Sequence, residues 1–171
     1  MIRFLIIEGP DSSGKTTLAK FLAERTQSLY WHSSGHPLLH SIMPIYHIKM
    51  LESIEDNLKM GRSVVHDRSW PSEFIYGREL RPQLVDSFPF KEFQDRINKF
   101  GGRYIFCMDD DVTKRFRNGH DSKDHQYDEA TFMNIVMAYR VLMEHMLTRP
   151  DSRHYDMLKH GQDMRCVLKW L

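Results

Sequence analysis

One stretch constrains this chain more than any other: Glu8-Gly9-Pro10-Asp11-Ser12-Ser13-Gly14-Lys15-Thr16-Thr17, which contains G-x-x-x-x-G-K-[ST] from Gly9 to Thr16. The apolar run Phe4-Leu5-Ile6-Ile7 precedes it, and the helix-like segment Leu18-Ala19-Lys20-Phe21-Leu22-Ala23 follows. A strand, a glycine-rich turn and a helix in that order read as a phosphate-binding loop. The glycines let the backbone turn several N–H groups inward toward phosphate oxygens. The positive end of the following helix adds to that field. Lys15 is then placed to reach the β- and γ-phosphates of ATP, and the Thr16 hydroxyl to ligate magnesium. Gly9, Ser12, Ser13, Gly14 and Thr17 complete the expected ATP-binding loop.

Length and composition bound the rest. A chain of 171 residues reads most simply as one domain, 1–171. Hydrophobic residues make up 41%, enough for a real core. Lys and Arg number 24 against 23 Asp and Glu, a formal net charge of +1. That balance supplies no global attraction to nucleic acid or to a membrane surface and argues against a nucleic-acid polymer as partner. The two cysteines, Cys107 and Cys166, form no disulfide framework; Cys107 sits in an apolar run and reads as a buried thiol. With no basic-then-apolar leader and no long apolar span, the expectation is a soluble, cytoplasmic protein without a membrane partner.

Five short runs read as buried strands: Phe4–Ile7, Leu29–Trp31, Ser63–His66, Tyr104–Met108 and His154–Met157, of which the first, third and fourth are distinctly apolar. Helical segments lie between them. The first runs from Lys15 to about Thr26. A second covers 37–60, with Pro44 as a break point and Gly61 as its stop. A third spans Phe90–Phe100 and ends at Gly101-Gly102. The longest is 128–146, where Phe132, Ile135, Val136, Tyr139, Leu142 and Met143 recur at helical spacing and read as core. Strands alternating with helices imply an α/β fold: a five-stranded parallel sheet flanked by helices, three layers in all. Ligands then sit at the carboxyl ends of the strands.

A second constellation closes the third strand-like run: Val64-Val65-His66-Asp67-Arg68-Ser69. An Asp at a strand end beside a phosphate loop can hold magnesium or its water, or accept a proton from an attacking hydroxyl. The adjacent Arg68 can clamp a phosphate in bidentate fashion. His32, His36, His40 and His47 follow no spacing that defines a metal site.

Together these segments resemble the thymidylate kinase and deoxynucleoside kinase superfamily of P-loop kinases. Residues Glu8 to Thr17 are similar to the thymidylate kinase pattern E-G-x-D-G-x-G-K-T-T, and Asn57 to Ser69, continuing to Ser72 and Tyr76, to L-x-x-G-x-x-V-x-x-D-R-[YFHS] with a later S-x-x-x-Y. The helix carrying Phe132 and Tyr139 matches the one that follows the family's lid. The resemblance implies a P-loop kinase fold with a helical lid at about 113–127, and a homodimer. It implies that Asp11 contacts the acceptor sugar, that Lys15, Thr16 and Asp67 serve phosphate and magnesium, and that Arg68 grips the acceptor's phosphate. Ser72, Phe74 and Tyr76 would line the acceptor site. Arg115 and Arg117 fall where the family has its lid, whose arginines neutralise charge on the transferring phosphoryl group. The phosphate loop here has no arginine, so that role passes to Arg115 or Arg117.

This chain departs from the pattern at three places. Ser12 stands where the family usually has a second glycine, and Ser69 where thymidylate kinases have an aromatic residue. That serine is closer to the Glu-Arg-Ser of deoxynucleoside kinases. The family's base-binding arginine has no clear counterpart, although Tyr46, His47 and Lys49 lie in its neighbourhood. The resemblance implies Mg²⁺-ATP-dependent phosphorylation of a deoxynucleoside monophosphate, dTMP or a related pyrimidine, with small-molecule nucleotides as partners. Alternative acceptors are a deoxynucleoside, or a hydroxymethylated pyrimidine as a nucleotide or within DNA. A third reading, from a different class, is a regulatory module that binds ATP without transferring phosphate.

Overall fold

The runs singled out above become strands β1 (Phe4–Glu8), β2 (Leu29–His32), β3 (Val64–Asp67), β4 (Arg103–Cys107) and β5 (Ser152–Tyr155). The structure is a computed structural model that describes residues 3–33, 43–82, 89–108, 111–112, 114, 127–156 and 164–171. Every pairing is parallel, and the strand order is β2-β3-β1-β4-β5. The helices are α1 (Lys15–Thr26), α2 (Met43–Lys59), α3 (Trp70–Leu80), α4 (Phe90–Lys99), α5 (Glu129–Met146) and the short α6 (Arg165–Leu168).

Central β1 shows why the apolar run reads as it does. Phe4 and Ile6 join Leu51 and Ile54 of α2, Phe93 and Ile97 of α4, and Tyr104 and Phe106 of β4. Leu5 and Ile7 face the other way, against Leu18 and Leu22 of α1, Val65, Ile105 and Cys107. A strand covered on both faces needs apolar side chains at every position rather than at alternate ones. Each such buried side chain contributes roughly 1.5–3 kcal/mol. A third cluster joins α3 to α5 through Ile75, Tyr76, Phe132, Ile135, Val136 and Tyr139. The stripe on α5 is thus core.

Local signals set the helix ends. Asp128 caps α5, its side chain accepting the Thr131 N–H at 2.8 Å. Gly61 and Gly101 take φ of 79° and 66° beyond α2 and α4. Pro44 is the second residue of α2 rather than a break within it, because a proline in the first turn removes an N–H that has no helical acceptor. The last strand is displaced from the expected His154–Met157 to Ser152–Tyr155. It is an edge strand whose register comes from pairing Tyr104 with Ser152 and Cys107 with Tyr155, not from an apolar run of its own. The short α6 was not anticipated. It leads to Trp170, whose ring lies 5.6 Å from the Arg103 guanidinium and 5.2 Å from that of Arg153.

Cys107 is a buried thiol outside any disulfide. No helix among the described residues is long and apolar enough to cross a membrane. The expected lid lies outside the described residues apart from Lys114 and Tyr127, and Arg115 and Arg117 lie outside them too.

Candidate functional site

The phosphate loop follows β1 at the carboxyl edge of the sheet, where the strand order reverses on either side of β1. Gly9 has φ 141°, and a Cβ there would lie 2.1 Å from the Cys107 carbonyl oxygen. The loop therefore passes too close to β4 for any side chain. Ser12 and Gly14 also take positive φ, 61° and 82°. Alternating backbone handedness of this kind turns successive N–H groups to one side. Helix α1 then begins at Lys15, with no acidic residue in its first turn to offset its positive end. Lys15 is buried; its ammonium donates to the Pro10 carbonyl at 2.5 Å and lies 3.4 Å from Ser13 Oγ. Burial pulls its pKa down, against the charges of Asp67 and Glu8. Thr16 and Thr17 are exposed at the loop's end.

Asp67, fully buried, pairs in register with Ile7 of β1 and His32 of β2. Its Oδ2 accepts the Thr16 hydroxyl at 2.6 Å and the Tyr30 hydroxyl at 3.0 Å, with His32 Nδ1 at 3.1 Å. Burial works against its charge, but the bonds from His32 and Thr16, with the Lys15 charge, hold the carboxyl below the usual carboxylate range. Its Oδ1 is buried without a partner. A carboxylate with one orphaned oxygen beside a threonine hydroxyl is a hard-oxygen donor set that suits a divalent cation such as Mg²⁺.

Arg68 follows Asp67 directly but reaches a different part of the loop, Asp11. It takes φ 69°, a left-handed conformation for a bulky residue. Its guanidinium donates to Asp11 Oδ1 and stands 4.9 Å from the centre of the Tyr76 ring. The other oxygen of Asp11 accepts the Tyr127 hydroxyl, and the Asp11 N–H donates to the Tyr76 hydroxyl at 2.9 Å. Asp11, Arg68, Tyr76 and Tyr127 thus form one cluster from four separate segments.

Ser72 is buried and turned inward: its hydroxyl donates to Glu8 Oε2 at 2.7 Å and lies 2.8 Å from the Tyr139 hydroxyl. Phe74 packs edge-on against Phe90, with centroids 5.1 Å apart. Farther along α3, Glu73 receives both Nη2 contacts of Arg81, at 2.9 and 2.8 Å, and His47 Nε2 lies 3.6 Å from it. His32 and His47 therefore serve different carboxylates, while His36 and His40 lie outside the described residues.

Sequence reasoning missed Tyr30 and His32 on Asp67, Tyr127 on Asp11, and the Glu8–Ser72–Tyr139 network. Glu8 carried a signal, as the first residue of the loop pattern. The tyrosines had none, since nothing in their own neighbourhoods points across the fold.

No protein-family model and no curated protein matches this sequence. Solved structures match its architecture over nearly the whole chain. YorR from Bacillus subtilis, determined in complex with phosphorylated GDP, is 20% identical with a TM-score of 0.70, covering 97% of this chain and 94% of that one. Thymidylate kinase from Ehrlichia chaffeensis is 17% identical with a TM-score of 0.60, covering 97% and 98%. Thymidylate kinase from Candida albicans is 14% identical with a TM-score of 0.62, covering 98% and 88%. At such identities the likeness speaks to architecture: the chain has the fold of the thymidylate kinase-like P-loop kinases.

Proposed function

We propose that this chain transfers the γ-phosphoryl group of ATP to a deoxynucleoside monophosphate, dTMP or a related pyrimidine. One observation carries the reading. Lys15, Thr16 and Asp67 are coupled at the start of α1, while Arg68 reaches Asp11 within the loop before it. Groups suited to a phosphate donor and to a phosphate-bearing acceptor therefore meet at the end of β1.

ATP would lie over residues 9–17, with the Lys15 ammonium exchanging the Pro10 carbonyl for phosphate oxygens. Thr16 and Asp67 would hold Mg²⁺, which when bound neutralises charge on the donor phosphates. The acceptor would lie by Asp11, Tyr76 and Tyr127, its phosphate taking the Arg68 guanidinium in a bidentate contact. An acceptor monophosphate is already nucleophilic at neutral pH, so no strong base is required. Asp67, held below the usual carboxylate range, is suited to binding a cation rather than to taking a proton. Positioning and charge neutralisation then supply most of the rate. Arg115 or Arg117 would close over the transferring group.

The test is transfer of labelled γ-phosphate from ATP to a panel of acceptors: the deoxynucleosides, their monophosphates, 5-hydroxymethyl-deoxyuridine monophosphate, GDP and a short oligonucleotide. Label on a pyrimidine monophosphate is the expected result. Label on a nucleoside or oligonucleotide moves the acceptor class. ATP binding without transfer to any member replaces the kinase by a regulatory module.

A further inference from the structure

Glu8 is fully buried at the end of β1, immediately before Gly9. Its carboxylate faces three elements. Oε1 accepts the Ser69 backbone N–H at 2.5 Å. Oε2 accepts the Ser72 hydroxyl of α3 at 2.7 Å and the Tyr139 hydroxyl of α5 at 3.3 Å. The cations on this side are Arg68 and Lys15, and the Tyr104 hydroxyl of β4 also feels the carboxylate's charge.

What Glu8 holds is the site's strained residue. A left-handed backbone at Arg68 is strained and persists only where its surroundings over-determine it. Two amides bracket it. The Arg68 N–H donates to the Ile7 carbonyl at 3.0 Å, and the Ser69 N–H to Glu8. Both are thus anchored to consecutive residues of β1. Without the Glu8 oxygen, the Ser69 N–H becomes a buried donor with no acceptor, and the turn gains by relaxing.

We propose that Glu8 is the positioning residue for Arg68: its carboxylate holds the strained turn at Ser69 and so aims the guanidinium at the acceptor's phosphate. The inference rests on the acceptor reading above. Burial pushes the Glu8 pKa to about 7, against the bonds from Ser72 and Ser69 and the charges of Arg68 and Lys15. In either protonation state one oxygen remains to accept from Ser69. The positioning therefore needs the oxygen and not the charge.

The experiment uses the full chain as Glu8→Ala, Glu8→Gln and Glu8→Asp, titrated with dTMP and with Mg²⁺-ATP by calorimetry alongside steady-state transfer. An unpaired buried donor costs about 1–3 kcal/mol, which sets the scale at roughly tenfold to a hundredfold. Glu8→Ala is expected to weaken dTMP by about that factor while ATP changes less than about twofold. Glu8→Gln, which keeps the acceptor oxygen, should remain within about threefold of the unmodified chain. Glu8→Asp keeps the charge but withdraws it by one methylene, so it should behave like Glu8→Ala; it also serves if Glu8→Ala fails to fold. Unchanged dTMP binding in folded Glu8→Asp, equal losses for ATP and dTMP, or a Glu8→Gln as impaired as Glu8→Ala would each overturn the proposal. Should the unmodified chain neither bind nor phosphorylate dTMP, the acceptor reading fails by itself. Glu8 is then judged by hydrogen exchange at the Ser69 amide: protection lost in Glu8→Asp but kept in Glu8→Gln supports the role, and protection kept in both overturns it.

Discussion

The two sides of the phosphate loop are built on different principles. The proposed donor side is contiguous. From Gly9 to Thr17 its shape comes from backbone: positive φ at Gly9, Ser12 and Gly14, then the opening turn of α1. The proposed acceptor side is assembled from side chains that are distant in sequence. The bond between Asp11 and Tyr76 spans 65 positions, and that between Asp11 and Tyr127 spans 116. A backbone-built site depends on a few conformations, whereas a side-chain-built site depends on every element that supports it. Glu8 joins the two, since it ends β1 and accepts both the Ser69 N–H and the Ser72 hydroxyl.

The largest effect belongs to the donor side. Lys15→Ala should lower kcat by on the order of 10³-fold if the ammonium meets the transferring group as proposed. Thermal unfolding should change less, since the hydrogen bonds of Lys15 among the described residues stay within its own loop and its ties to Asp67 and Glu8 are through charge alone. A comparable loss of folding stability would break the distinction between a chemical and a structural lysine.

Arg68→Ala probes the other side. It should raise the KM for the monophosphate about tenfold to a hundredfold and leave the KM for ATP nearly unchanged. If both constants rise together in steady-state kinetics, the two sides are one site and the comparison fails.

The link between the sides should titrate. The Glu8 pKa is raised from 4.5 to about 7 in the folded protein, so the fold holds that proton more tightly than the unfolded chain does. Its contribution to stability is complete below 4.5 and is lost as pH climbs through 7. Glu8→Gln carries no such proton. The unmodified chain's stability relative to that variant should therefore fall by about 3 kcal/mol across the interval, measured by urea unfolding at a series of pH values. Asp67 acts in the opposite sense, with stability present at higher pH and lost as acid protonates it, but it is common to both proteins and cancels. A flat difference would mean that Glu8 is not a titrating link.

The smallest expected effect sharpens the backbone argument. Ser12 takes φ 61° and is exposed, so Ser12→Gly relieves a left-handed strain. A gain of about 0.5–1 kcal/mol in thermal stability, with ATP binding kept, is the outcome expected of a loop shaped by its backbone. Lost ATP affinity would instead assign the Ser12 hydroxyl to the ligand.

Much of this molecule was legible in its residues, for local reasons. The cores of β1, β3 and β4 are apolar on both faces and read as strands directly, while β2 and β5, on the edges, carry Tyr30, His32, Arg153 and His154 and read weakly. Gly9, Lys15 and Thr16 are defined by spacing within one turn. Asp67 and Arg68 adjoin a distinct strand and so are found with it. Residue pattern alone sufficed for the parallel α/β architecture and for the glycine-rich loop between β1 and α1, because periodicity and glycine placement act over a few residues. Packing across the fold is what brings Tyr30 and His32 to Asp67, Tyr127 to Asp11, and the Ser69 N–H to Glu8. Those contacts depend on strand order and helix packing, which bring together residues whose local sequences have no reason to know of each other.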